Sequence, residues 1–553
     1  MVALSGCGDS VSDVKMKCSA GVGDGCVITG NGGCTSWDLS DAPSDSDWLL
    51  VVNSWKKFDR NKQLSHGLSV RATEASAPLP KNEAAKASRF QGRSSTLSID
   101  SRPNRLVPPL EKGTIGSPSS QQSISLDTPV DIYIPEPSDY DITVDGQRVS
   151  LFIPTPRGKT RTGRTFSFDG SDTSAADFVL RASTEQIGQD LTPLNALSAC
   201  LKDVIPKTFD LIGRPLYDLD GQNEVNVLVT KFSGPGDSST AGVFSWLDRF
   251  EPSPRKDEFT DSNFGEYLYI RDKRMEGKSG ISRMCATTAH ELQHLVSFDH
   301  KVLRRLSDDR RKNLDSFLKS DLEGEEMGLN EAYSHVVEEL SGRNQEVAKY
   351  IYLFLTNPGQ ASLALQTAGE NIAANARVRG LNTLILYHAI QKAGGTLDRN
   401  DSQTASLLHD LIQSEKTGYE NLAQHFGMKS RDEFMKSFYV NLALAMFQTG
   451  GNPNFIPPMK QETTAEGTFS RGIRILSRES PEENATFKEP IFHALQFKAP
   501  LLPVTSDTSI PTQGVVFQRY RVPAQKGKDS EVKFCGDGNP ISLFVVPLPP
   551  SNL

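Results

Sequence analysis

No run of about 18 apolar residues occurs in the chain, which excludes a helix long enough to cross a lipid bilayer. Cysteine is sparse, seven in 553 residues, and no C-x-x-C pair is among them, so neither a cysteine zinc site nor a thioredoxin-like motif has support. Cys7, Cys18, Cys26 and Cys34 crowd into the N-terminus, while Cys200 and Cys285 sit on apolar helical faces and read as small core residues. An excess of either charge is also lacking. The 60 Lys and Arg against 68 Asp and Glu leave a scattered −8, which offers nucleic acid no basic surface. A length of 553 residues implies several domains rather than one large core.

What is present is a helix-patterned segment, Cys285-Ala-Thr-Thr-Ala-His290-Glu291-Leu-Gln-His294-Leu-Val-Ser-Phe298. Ile281, Met284, Thr288, Leu292, Leu295 and Val296 recur at three- and four-residue steps, which describes one buried face. Residues four apart lie about 40° apart round a helix axis, so His290 and His294 stack on one side, where two imidazoles can grip one ion. Zinc suits that pair, because it accepts neutral imidazole nitrogen without redox chemistry. Glu291, one step round, is placed to take a proton from water without ligating the ion, which is the arrangement of a metallopeptidase.

Around this segment the texture changes along the chain. Leu4-Ser-Gly-Cys7 has the form of a bacterial lipobox, with Cys7 the lipid-bearing residue; the short stretch before Leu4 points to a start codon assigned too late. Residues 1–125 otherwise read as a flexible tether, since tracts such as Gln91 to Gln122 cannot bury enough apolar surface to offset their ordering entropy. Only Trp48 to Val52 there looks strand-like. A small antiparallel β segment is expected over 126–195, in Val130 to Ile134, Asp141 to Val144, Val149 to Ile153, Thr165 to Phe168 and Asp177 to Arg181, with Asp145-Gly146 as a hairpin turn. The catalytic domain is expected over 196–448. It begins with a helix from Leu197 to Ile212 and strands Val225 to Thr230, Gly242 to Leu247 and Glu266 to Ile270. The last of these is the candidate edge along which an extended substrate pairs. Helices at Asn330 to Leu340, Val347 to Leu355, Leu381 to Lys392, Leu407 to Ile412 and Arg431 to Met446 follow. Residues 449–553 return to β and suggest a C-terminal sandwich-like module.

Taken together, Val225 to Thr230, Gly242-Val-Phe, Asp248-Arg-Phe250, Ala289-His-Glu-Leu-Gln-His-Leu, Leu329-Asn-Glu-Ala and Glu338-Glu-Leu resemble the hyicolysin family of bacterial zinc metallopeptidases, within the gluzincins. The resemblance spans roughly 200 to 445, and Ala332 stands where such sequences usually carry Gly. It implies an α+β zincin: an upper mixed sheet over the HExxH helix, and a helical lower half that supplies the third ligand. It also implies one zinc per chain, protein or peptide substrates, and an exported or surface-attached location. Asn330 matches the second-ligand helix of gluzincins, and His335, one turn after Glu331, is placed to support the ligands. Zincins also set a Tyr or His opposite the nucleophile, for which Tyr387 and His388 are the candidates. The chain is expected to act as a monomer, held at a membrane only through lipid on Cys7.

Two residues compete for the third ligand. His300 follows His294 at the metzincin spacing, but that geometry needs a Gly-directed helix stop where Ser297 stands. If the helix continues, His300 points roughly 120° away from His294 and about 9 Å farther along the axis. Glu331, on its own helix, needs no such break and is the favoured ligand. The rival to catalysis is a surface protein that keeps the scaffold only to bind a partner. Glu291 argues against it, because a binding relic has no need of that carboxylate.

Overall fold

In a computed structural model the described residues fall within 14–55, 68–73, 141–152, 178–183 and 192–549, with loop gaps inside the last of these and small gaps elsewhere. Strands β1 (Val14–Lys17), β2 (Cys26–Asn31), β3 (Cys34–Asp38), β4 (Asp47–Ser54) and β5 (Leu68–Thr73) come first, and a Cys18–Cys26 disulfide fastens β2 to the chain before it. β6 (Asp141–Val144) and β7 (Gln147–Phe152) pair as the hairpin that Asp145-Gly146 calls for, followed by β8 (Phe178–Ser183). The expected strands at Val130 to Ile134 and Thr165 to Phe168, like Cys7, lie outside the described residues.

Helix α1 (Thr192–Ile212) tolerates Pro206 in its interior and buries Leu197, Leu201, Val204, Ile205 and Ile212. Next come β9 (Val225–Thr230), β10 (Gly242–Phe244), β11 (Tyr267–Arg271) and the long α2 (Gly277–Lys301). Then follow α3 (Met327–Leu340), α4 (Glu346–Thr356), the short β12 (Ala361–Ser362), α5 (Ile372–Lys392), α6 (Ser402–Gln413), α7 (Gly418–His425) and α8 (Arg431–Phe447). Two of these starts are written locally. The Asp401 side chain accepts from the amides of Gln403 and Thr404, and Ser430 accepts from that of Glu433, so each caps otherwise unpaired donors. The chain ends in β13 (Lys460–Thr464), β14 (Gly467–Arg471), β15 (Arg474–Leu476), β16 (Ile491–His493), β17 (Thr505–Ile510), β18 (Gly514–Arg521), β19 (Glu531–Cys535) and β20 (Pro540–Pro547). The class is mixed α+β, with eight α-helices among the described residues.

The sheet above α2 has the order β10-β11-β9-β8-β7-β6. β11, β9, β8 and β7 run parallel, and an antiparallel strand closes each side. This corrects two expectations. β6 to β8 are not a separate N-terminal β segment but extend this sheet. And β11 is interior: among the described residues the edge beside α2 is β10. The burial of every residue from Tyr267 to Arg271 gives the reason, since a strand covered on both faces is apolar over most of its length, here to Ile270, while a three-residue edge has no such need.

The separate C-terminal module and the part of the tether that lies in 14–55 and 68–73 are corrected together, while Gln91 to Gln122 lies outside the described residues. β4 is the middle strand of a sheet ordered β12-β18-β4-β20-β2, so the two ends of the chain pair with each other. Leu49 and Val51 enter the main core with α8, while Trp48, Leu50 and Val52 enter a second core around Trp37, Tyr520 and Leu543. Both faces of β4 are therefore buried, which is why Trp48 to Val52 is apolar without alternation. β3 likewise lies between β1 and β19. A further correction concerns Cys200 and Cys285, which are bonded to one another and tie α1 to α2.

Candidate metal centre

Helix α2 runs unbroken through Ser297 to Lys301, because residues 281–296 supply a continuous buried face with no Gly or Pro to stop it. His290 and His294 project from the side facing α3, their ring centroids 4.9 Å apart. Glu331 on α3 comes to meet them: His290 Nε2 lies 3.4 Å from Glu331 Oε2, and His294 Nε2 lies 3.7 Å from Oε1. One donor atom from each of the three lies within 4.8 Å of the others. His300 is carried round the helix instead, with Nε2 3.3 Å from the Arg214 carbonyl oxygen, and burial pulls its imidazole down to about 4.

Electrostatics at the three donors follow from burial against charge. Burial works against a charged His290, yet hydrogen bonds to Glu331 and Glu338 overturn it and lift the group to about 10. At His294 burial wins and lowers the ring to about 3. Burial also opposes ionisation of Glu331, but the Arg379 guanidinium and His290 hold its carboxyl well below the usual range. Two imidazoles and a carboxylate whose charged form Arg379 and His290 favour make a donor set that suits zinc.

Glu291 turns away from the donors toward the edge strand. Its Oε2 accepts a 2.8 Å hydrogen bond from the Phe244 amide of β10. Burial pushes its carboxyl up to about 7, against the pull of His290. The contact needs a residue without a side chain at Gly242, since a Cβ there would lie 2.5 Å from Thr287 Cγ2 and 3.0 Å from Glu291 Cγ. Aromatic rings extend the same side of α2. Phe298, two turns after His290, lies 6.0 Å from Phe244 and 6.3 Å from Trp246 between centroids.

The remaining expected site residues separate into two groups. Asn330 Oδ1 accepts from Gln293 Nε2 at 3.1 Å, each next in sequence to one of the candidate donors, Glu331 and His294. His335 joins the cluster too: its Nδ1 is 3.2 Å from Glu338 Oε2. Tyr387 and His388 do not. Tyr387 donates to the buried Glu339 carboxylate, and His388 packs among Phe434, Phe438 and Phe455 with Nδ1 3.0 Å from the Phe455 carbonyl. The reason is distance along α5. Eight residues separate Arg379, which does reach the cluster, from Tyr387, or about 12 Å of helix. The structure therefore does not bring these two expected oxyanion residues together with the three donors.

Two participants, Glu338 and Arg379, are given no role in the site by the motifs, although Glu338 belongs to one of them. Glu338 Oε2 lies 3.3 Å from His290 Nδ1, the carboxylate-on-histidine contact that fixes a ligand ring. Its signal is in the sequence, for Glu331, His335 and Glu338 share a helix face at steps of four and three. Arg379 has no such signal. Its Nη2 is 3.1 Å from Glu331 Oε2, and Nη1 is 3.1 Å from His335 Nε2.

No family model matches the chain, and no curated protein matches it. Among solved structures, it is similar to the crystal structure of an aminopeptidase N family protein from Idiomarina loihiensis, at 11% identity and a TM-score of 0.27, over 71% of this chain and 68% of that one.

Proposed function

We propose that this protein is a zinc-dependent endopeptidase of the gluzincin type, similar to hyicolysins, with one zinc per chain held by His290, His294 and Glu331. The observation that carries this reading is the convergence of those three donors within 4.8 Å beside a buried carboxyl, Glu291, that is not one of them. A zinc ion bound there supplies Lewis acidity toward the scissile carbonyl and toward water. The chain's own residues do the rest. Glu291, with its carboxyl near 7, takes the proton of the attacking water and returns it to the leaving amine. The Phe244 amide keeps that carboxyl aimed. β10 is the sheet edge that an extended substrate would line up against, in place of the interior β11.

An extracytoplasmic location forms part of the proposal. Cys18–Cys26 and Cys200–Cys285 disulfides are at home in an oxidising compartment, and lipid on Cys7 would hold the protein at a surface. The test is cleavage of a denatured protein mixture by the purified chain, with and without a chelator, alongside Glu291→Gln. Wild type should cleave, the chelator should stop it, and Glu291→Gln should lose about 100- to 10,000-fold while retaining zinc. Equal cleavage by wild type and variant would remove Glu291 from the chemistry and the proposal with it.

A further inference from the structure

The contacts around the candidate ligands close into a ring. Glu331 Oε2 meets Arg379 Nη2 at 3.1 Å, and Arg379 Nη1 meets His335 Nε2 at 3.1 Å. His335 Nδ1 meets Glu338 Oε2 at 3.2 Å, Glu338 Oε2 meets His290 Nδ1 at 3.3 Å, and His290 Nε2 returns to Glu331 Oε2 at 3.4 Å. Five side chains from α2, α3 and α5 are thus joined without a break.

Three of these contacts are hydrogen bonds, at His335 and Glu338, and the two at Glu331 are ion pairs; the direction of the hydrogen bonds follows from one member. A guanidinium only donates, so His335 Nε2 must accept, and the His335 proton sits on Nδ1, from which it donates to Glu338. Glu338 accepts on the same oxygen from His290 Nδ1, which leaves His290 Nε2 facing Glu331 and Ser334 Oγ, the latter 3.1 Å away. The same guanidinium holds one oxygen of Glu331 and leaves the other toward His294. The placement is built into the packing. α5 lies so close to α4 that a Cβ at Gly380 would collide with the Tyr350 carbonyl oxygen, and the neighbouring Arg379 is thereby delivered between Glu331 and the Tyr350 ring, 6.0 Å from its centroid.

We infer that Arg379 is the positioning residue of this centre: it orients the carboxylate ligand Glu331 directly and the imidazole ligand His290 through His335 and Glu338. This rests on the zinc reading above and adds to it a requirement for a forked, fixed cation. A lysine ammonium can reach Glu331 or His335 but cannot hold both in one plane.

The test compares the full-length wild type with Arg379→Gln, Arg379→Lys, His335→Gln and the Arg379→Gln/His335→Gln double variant. Zinc affinity is read by competition with a chromophoric chelator, and kcat and KM are read on a peptide. Arg379→Gln should weaken zinc binding about 10- to 100-fold, with kcat falling and KM little changed, and Arg379→Lys should recover only part of that loss. The double variant should lose less than the product of the two single losses, because both break one ring. Zinc affinity within twofold of wild type in both Arg379 variants would overturn the inference while leaving the endopeptidase reading intact. A change in KM alone would overturn it in favour of a substrate contact. If the wild type retains no zinc, the endopeptidase reading falls first and this inference with it.

Discussion

Two clusters of buried charge hang from α2. Near its C-terminal end, Asp299 receives Arg249 Nε and Nη2 at 3.0 Å each and the amides of Leu216 and Tyr217 at 3.0 and 3.3 Å, while Arg249 also pairs with Glu266. Toward the middle of the helix, His290 and His294 face Glu331. In the first cluster the cation is already present, as a guanidinium whose donors are directed one by one at acceptors. In the second, lone-pair-bearing atoms of three residues point toward a common place, and the guanidinium of Arg379 stands at the side. Buried charge alone therefore does not mark a site; convergence of donors on one point does.

The largest effect expected from breaking this comparison is at Arg249. Replacing it with Met strands two buried carboxyls, and denaturant unfolding should show about 3–5 kcal/mol of lost stability. The molecules that remain folded should bind zinc as wild type does, because Arg249 touches none of the three donors. A loss of zinc affinity in folded Arg249→Met would mean that the two clusters act as one.

Next in size is the bond between Cys200 and Cys285. The double Ser variant should unfold with about 2–4 kcal/mol less stability than wild type under oxidising conditions, and the difference should disappear in reductant. A smaller effect, confined to turnover, is expected of Gly242→Ala. Its methyl would press on Thr287 and Glu291 and displace β10, lowering kcat by about 10- to 100-fold with little change in unfolding midpoint. An unchanged kcat would show that the edge strand does not aim Glu291.

The smallest effect separates a merely buried carboxyl from the metal centre. Burial, against the hydrogen bond from Tyr387, pushes Glu339 up to about 7 from an ordinary 4.5. The folded state therefore holds a proton that the unfolded state releases, so this group's contribution is complete below about pH 4.5 and is lost as pH rises through 7. Relative to Glu339→Gln, the wild type should lose on the order of 1–2 kcal/mol between pH 5 and 8. Parallel stability curves for the two would rule out a titrating Glu339.

Local pattern carried a good share of this architecture. The three- and four-residue rhythm of Ile281 to Val296 announced α2, the continuity past Ser297 announced that His300 would turn away, and Asp145-Gly146 announced the β6–β7 hairpin. What was hidden is what depends on distant partners. Trp48 to Val52 pairs with β18 and β20 more than 450 residues later, and no local rhythm encodes that neighbour. The same is true of Cys200 with Cys285, each of which alone looks like a small core residue. Arg379 is one charge on a helix until α3 and α4 are packed against it. For Tyr387 and His388 the converse holds: their residue types suit an oxyanion donor, but their height on α5 gives them Glu339 and the Phe455 carbonyl as partners.

The proposed zinc site takes Glu331 as its third donor beside His290 and His294, and not His300. Zinc content after exhaustive dialysis, measured on wild type, Glu331→Ala and His300→Ala, tests it most directly. Wild type and His300→Ala should each hold one zinc per chain, and Glu331→Ala should retain none. Zinc kept by Glu331→Ala and lost from His300→Ala would contradict this assignment.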